Sequence, residues 1–151
     1  MSKLRLLVAE DEAIIALSLV DILLDAGHAV AGIASTAEEA IALAARHKPD
    51  LALLDVFLAR GSDGRTAAKH LQSDMGIPSI LVTAHLGAQE AKATGALGLV
   101  PKPYTQDAIL TIVAQAHALL RNPDGGTRAT FITSGLRPGE MLDRSRPQST
   151  V

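Results

Sequence analysis

The chain has 151 residues, 48% of them hydrophobic and 20% charged, with a formal net charge of −2, three aromatic residues and no cysteine. That length suits one domain with a real core and is short for two, and the lack of cysteine excludes disulfides, thiol catalysis and thiolate metal sites while fitting a reducing compartment. No Lys/Arg cluster and no aromatic platform is present, which argues against direct nucleic-acid binding; no signal peptide or membrane span can be read, so a cytoplasmic protein without membrane contact is expected.

Leu4 to Ala9 reads as a first strand, and Glu10-Asp11-Glu12 separates it from a helix over Ala13 to Ala26 that ends at Gly27. His28 to Ala34 is the next strand. Ser35 or Thr36, three residues before Glu38 or Glu39, is a capping-box signature for a helix running to His47, which Pro49 terminates. Leu51-Ala52-Leu53-Leu54-Asp55 is short, apolar and bounded by Pro49-Asp50 and a glycine-bearing loop, as a strand buried on both faces would be.

A loop over Val56 to Asp63 and a helix over Gly64 to Ser73 follow, then a strand over Ile77 to Thr83, with Pro78 tolerable only at its start. Leu86 to Thr94, between Gly87 and Gly95, leaves room for about two helical turns. Leu97 to Val100 forms a fifth strand before Pro101-Lys102-Pro103. Ile109, Ile112 or Val113, Ala116 and Leu119 or Leu120 then mark the apolar stripe of a last helix.

Five strands alternating with five helices imply a parallel sheet with right-handed crossovers and helices on both faces. In such a sheet the strand ends bearing Glu10 and Asp11, Asp55, Thr83 and Lys102 lie side by side. Three carboxylates there repel one another unless a hard divalent cation joins them, and oxygen ligands plus water suit Mg²⁺. Asp55 is then available to attack phosphorus, and Lys102 and Thr83 to neutralise and hydrogen-bond the transferred phosphoryl oxygens.

At these residues the chain resembles the receiver domain of two-component response regulators, from about Leu4 to Leu120. The likeness rests on the acidic pair in Val8-Ala9-Glu10-Asp11-Glu12, on Asp55 after its apolar run, on Thr83 and on Lys102-Pro103. It implies a flavodoxin-like doubly wound sheet of five parallel strands, order 2-1-3-4-5, over residues 1–121. It implies Asp55 as phosphoacceptor and Thr83 and Lys102 as catalytic groups. Mg²⁺ would be held by Asp11 directly, Glu10 through water, Asp55 and the backbone carbonyl of Phe57, and Lys102 would precede a cis peptide to Pro103. The donor would be a sensor histidine kinase or a histidine phosphotransfer protein, and output would pass by protein contact to a partner the sequence does not identify.

Leu99, three residues before Lys102, stands where receivers commonly carry Tyr or Phe, so a switch coupling Thr83 to a rotating ring is not available in its usual form. The Thr83-to-Lys102 interval is also short by about one helical turn, so the fourth helix should be short. In the first helix only Ile14, Ser18, Asp21 and Asp25 form a narrow stripe, and the remaining apolar surface is wider than one sheet face needs. Cover by flanking helices and a homodimer through the first and last helices both account for that excess. Residues 122–151 change to Pro, Gly, Ser, Thr and Arg and read as a tail, either disordered or a dimerisation arm whose strand-like patch is Ala129 to Thr133.

Two other classes share parts of this chemistry. An aspartyl-phosphate hydrolase of the haloacid dehalogenase type needs a second acid two residues after its nucleophile, where Phe57 stands. A nucleotide-binding module lacks its G-x-G-x-x-G or Walker loop after Ala9. A receiver-like module that binds partners without phosphorylation also fits the fold, but not the completeness of the site.

Overall fold

The computed structural model describes residues 3–121 and 131–133. Strands β1 (Arg5–Ala9), β2 (Ala29–Ala34), β3 (Leu51–Asp55), β4 (Ser79–Thr83) and β5 (Gly98–Pro101) alternate with helices α1 (Ala13–Asp25), α2 (Ala37–His47), α3 (Gly64–Met75), α4 (Ala88–Ala93) and α5 (Gln106–Arg121). A two-residue strand, β6 (Ile132–Thr133), follows. The sheet order is β2-β1-β3-β4-β5-β6, every pair parallel. The expected five-strand order is therefore present, with a sixth strand added at the β5 edge. The rest of the predicted tail, 122–130 and 134–151, lies outside the described residues, and with it the first two residues of the Ala129–Thr133 patch.

Strand β3 is central because all five of its residues are buried. Its alternate side chains serve opposite layers, as the two-residue period of a strand requires. Leu51 and Leu53 meet Leu19, Leu23, Ile109, Ile112 and Val113 on the α1/α5 side. Ala52 and Leu54 meet the α2/α3 side, where Ala40, Ala44, Ala67, Ala68 and Leu71 pack. Small side chains on that second layer let its helices approach the sheet closely. Each fully buried leucine contributes about 1.5–3 kcal/mol relative to an exposed one, so the strand that carries Asp55 is the hardest part of the sheet to displace.

Local signals set the boundaries. Thr36 caps α2, accepting from the Glu39 N–H at 3.1 Å, while Glu39 Oε1 accepts from the Ser35 N–H at 2.7 Å. Asp63 caps α3, which runs two residues beyond Ser73 to Met75 and stops at Gly76 with φ +68°, a left-handed turn that glycine enters at no steric cost. Strand β4 begins at Ser79, past Pro78, which has no N–H to donate and joins β3 only through its carbonyl, accepting from the Ala52 N–H at 3.0 Å.

Helix α1 buries Ala16, Leu19, Ile22 and Leu23. Leu17 and Leu24 stay exposed beside Ile14, Ser18, Asp21 and Asp25, so flanking helices cover only part of its wide apolar surface. No helix among the described residues is long and apolar enough to cross a membrane.

Candidate functional site

The carboxyl ends of β1, β3, β4 and β5 open into one cleft of about 300 Å³, lined among others by Asp11, Asp55, Phe57, Thr83, His85 and Lys102. Glu10 lies just behind it. Its backbone N–H donates to the Ala34 carbonyl at 2.9 Å, extending the β1–β2 ladder, and the residue is 3% exposed. One Glu10 oxygen accepts from the Glu12 N–H at 3.1 Å, at the α1 N-terminus, where an unpaired amide and the helix dipole favour a carboxylate.

Asp55 is held from both sides. Its Oδ1 accepts from the Phe57 N–H at 3.2 Å and its Oδ2 from Lys102 Nζ at 2.8 Å. The same ammonium donates to Glu10 Oε1 at 2.9 Å. Lys102 is fixed at its own backbone, where its N–H donates to the Thr83 carbonyl at 3.0 Å. The peptide to Pro103 is cis. Thr83 is buried and its hydroxyl accepts from the His85 N–H at 3.3 Å.

Carboxylate oxygens of Glu10, Asp11 and Asp55 all lie within 4.8 Å of one another, with Asp11 exposed to the cleft. Three acids facing one ammonium leave two negative charges (3 − 1 = 2) uncompensated, and an all-oxygen donor set with that imbalance fits a hard divalent cation. Burial raises the Glu10 pKa, against the opposing effect of its hydrogen bond from Lys102. Burial acts against the charge on Lys102, yet the hydrogen bonds to Asp55 and Glu10 outweigh it and raise its pKa. The ammonium is therefore held charged between the two acids.

Glu10, Asp11, Asp55, Thr83 and Lys102, singled out in the sequence, thus come together. Phe57 lines the same cleft. Leu99 does not; it is 4% exposed and packs on the α2/α3/α4 layer with Ala91 and Ala96. Two contributions escaped the sequence reading. A Cβ on Gly64 would overlap the Asp55 carbonyl oxygen, and the Gly64 N–H donates to the Val56 carbonyl at 2.8 Å; the α3 start is pressed against the backbone of Asp55 and requires glycine there. The signal was Asp63-Gly64, a cap followed by a residue with poor helix propensity. The second is His85, whose ring meets that of Phe57 edge to face at 4.8 Å beside the cleft. Nothing in their separation along the chain predicts that pair.

Comparison with known proteins agrees with this geometry. Residues 6–114 match the response regulator receiver domain family. The transcriptional regulatory protein PdtaR of Mycobacterium tuberculosis is 33% identical over 120 residues, covering 78% of this chain and 58% of that protein. The phyllosphere-induced regulator PhyR of Methylorubrum extorquens is 34% identical over 117 residues, covering 74% of this chain and 43% of its own length. The crystal structure of the response regulator PhyR from Brucella abortus superposes with a TM-score of 0.72 at 34% identity, covering 84% of this chain and 53% of that one. The chain thus spans about half the length of these relatives. From the acidic pair after β1 to Lys102 after β5, and across residues 6–114, this chain belongs to the response regulator receiver domain family.

Proposed function

We propose that this receiver is a phosphorylation-dependent switch in which Asp55 accepts a phosphoryl group from the phosphohistidine of a sensor histidine kinase or histidine phosphotransfer protein. One observation carries the reading: Lys102 bridges Asp55 and Glu10 at 2.8 and 2.9 Å beside exposed Asp11 in an open cleft. Glu10, Asp11, Asp55 and the Phe57 carbonyl would hold Mg²⁺. When bound, that ion would neutralise the acidic cluster and charge building on the phosphoryl oxygens.

The remaining work falls to the chain itself. Asp55 Oδ attacks phosphorus; the new O–P bond forms as the P–N bond breaks, and the electron pair leaves with the imidazole nitrogen of the donor, which takes up a proton. Lys102 is placed to follow the charge from the carboxylate to the phosphoryl oxygens, and the Thr83 hydroxyl to donate to one of them, the positioning and charge stabilisation on which phosphoryl transfer depends. The acyl phosphate adds roughly −1.5 to −2 charge to the site. With aliphatic Leu99 in the core, the element biased by that charge is the segment from Ala84 to Gly98, tied to the site through Thr83 and His85. The output is protein contact, and the chain's only catalysis is its own phosphorylation and dephosphorylation.

Incubation with Mg²⁺ and acetyl phosphate, followed by intact mass measurement, tests this. A single phosphoryl adduct that does not form when Mg²⁺ is chelated beforehand or when Asp55 is replaced by Asn is the expected result. Steady phosphate release without an adduct would instead favour a hydrolase. Against that alternative, the place of a second acid is taken by Phe57, whose ring packs on His85.

A further inference from the structure

The loop that follows Asp55 closes on itself. The Gly64 N–H donates to the Val56 carbonyl at 2.8 Å, Phe57 and Asp63 form an antiparallel bridge, and the Leu58 N–H donates to the Ser62 carbonyl at 3.0 Å. Val56 and Leu58 anchor the outgoing arm in the core. The returning arm, residues 59–63, has no buried residue. Within it Arg60 stands at φ +56°, a left-handed conformation that a side chain enters only at a cost. Polar contacts rather than apolar burial therefore set the place of this arm.

Ser62 makes four of those contacts. Besides accepting from Leu58, it donates from its N–H to the Ala59 carbonyl at 3.1 Å. Its hydroxyl oxygen accepts from the Ala37 N–H at 2.7 Å, and its hydroxyl donates to Glu38 Oε1 at 3.0 Å. Ala37 is the first residue of α2, and its amide is one of the donors that a helix start leaves without an intrahelical partner. Thr36 caps the Glu39 amide, so Ser62 supplies from another element the bond that the local cap does not. The Ala59 N–H adds a tie to the Ser35 carbonyl at 2.9 Å. The arm is thus fastened to a helix whose Ala37, Ala40 and Ala44 are buried.

The residue opposite this arm is Phe57. It is 57% exposed, so burial of its ring does not place its backbone, yet its N–H donates to Asp55 Oδ1 at 3.2 Å. Val56 and Leu58 fix where the chain passes; the tilt of the peptides at Phe57 is left to the bridge with Asp63, the neighbour of Ser62.

We propose that Ser62 is a positioning residue of the site. By tying the returning arm to α2 it holds the Phe57–Asp63 bridge in register, and through it the Phe57 peptides in the orientation in which the N–H meets Asp55 and the carbonyl shares Mg²⁺ with Asp55. This role deepens the function proposed above, since it takes the Phe57 carbonyl as a ligand. Ser62 acts on a ligand and on neither Thr83 nor Lys102, so its hydroxyl governs affinity for the ion rather than the transfer step.

Ser62→Ala and Ser62→Thr in the full chain test it. Ser62 is partly exposed, so alanine leaves no cavity; threonine keeps the hydroxyl, and the extended backbone there (φ −70°, ψ 145°) accepts a β-branched residue. Hydrogen exchange over 57–63 is measured without Mg²⁺, affinity is read from amide NMR shifts on titration with magnesium chloride, and labelling by acetyl phosphate is timed below and at saturating Mg²⁺. The urea midpoint reports folding. For Ser62→Ala, exchange over 57–63 is expected to quicken about tenfold and the Mg²⁺ dissociation constant to rise about tenfold. Its labelling rate at saturating Mg²⁺ should stay within about twofold of native, and Ser62→Thr should behave as native throughout. An unchanged dissociation constant in Ser62→Ala, a labelling rate that falls as far at saturating Mg²⁺ as below it, or a Ser62→Thr protein as impaired as Ser62→Ala would each overturn the role of Ser62 and leave Asp55 as acceptor intact. A native chain whose amides do not respond to magnesium chloride would overturn the metal reading itself, and this role with it.

Discussion

The two ends of β5 are held in contrasting ways. At its carboxyl end Lys102 is tied to Thr83 through the backbone and to Asp55 and Glu10 through its ammonium, three bonds of 2.8–3.0 Å. Away from that end β5 carries the aliphatic Leu99, and its neighbours there are a six-residue α4 and the two-residue strand β6. Chemistry sits where geometry is over-determined, and the surfaces that can rearrange sit where few groups hold it. That division suits the proposed switch, in which the acceptor must not move and the reporting element must.

Removing Lys102 should produce the largest change. Lys102→Ala takes away the ammonium that bridges Asp55 and Glu10 beside Asp11, and phosphoryl uptake from acetyl phosphate should slow by about 10²–10³-fold, the usual cost of a lost oxyanion donor. Stopped-flow or quench-mass kinetics would read it. A rate within a few-fold of native would place the charge stabilisation elsewhere and blur the contrast between the two ends.

Gly64→Ala comes next, acting on the fold beneath the site. Its Cβ would collide with the Asp55 carbonyl, and overpacking against backbone costs about 1–3 kcal/mol or more. A lowered urea midpoint together with slower phosphorylation is expected. An unchanged midpoint would mean that the α3 start can shift without disturbing Asp55.

On the lightly held side, equivalent perturbations should leave chemistry alone. Leu99→Ala opens a cavity in the α2/α3/α4 layer and should cost about 2–3 kcal/mol of stability while phosphoryl uptake stays within a few-fold of native. Hydrogen exchange across Ala84–Gly98 sharpens the point, because that segment should gain protection on phosphorylation. Equal protection in both states would remove it as the responding element.

The smallest effect is a pH dependence far from both regions. His28 Nδ1 accepts from the Leu4 N–H at 3.1 Å, and the ring faces His117 at 6.3 Å. Burial, followed by the charge of His117, lowers the His28 pKa. A histidine with a depressed folded pKa favours its neutral form in the fold, so its contribution is fully present above its unfolded pKa of about 6.5. It is lost as pH falls through the folded value, when protonation breaks the bond to Leu4 and water screening limits the size of the loss. Denaturation profiles of native and His28→Gln proteins should converge toward low pH; parallel profiles would show that His28 titrates alike in both states.

Much of this architecture was legible along the chain. Leu51–Asp55 reads as a doubly buried strand because its pattern is local, and Thr36 with Glu39 reads as a helix start for the same reason. The acidic pair, Asp55, Thr83 and Lys102 converge because alternation of strands and helices fixes the sheet topology, which brings strand ends together without any side-chain detail. What stayed hidden depends on distances through space. Gly64 matters because a backbone oxygen lies where its side chain would be, and Phe57 meets His85 only once β3 and β4 are adjacent. Strand β6 was the hardest to place, since a two-residue strand has no period of its own and its partner is specified by the missing Cβ of Gly98, which would overlap the Ile132 carbonyl oxygen.

The proposed switch depends above all on Asp55 as the acceptor. Phosphorylation with a phosphohistidine donor in Mg²⁺, reductive trapping of the acyl phosphate and peptide mass spectrometry would locate the modified residue directly. The expected outcome is a single trapped site at Asp55, absent from Asp55→Asn. A phosphoryl group on any other residue, or undiminished labelling of Asp55→Asn, would contradict it.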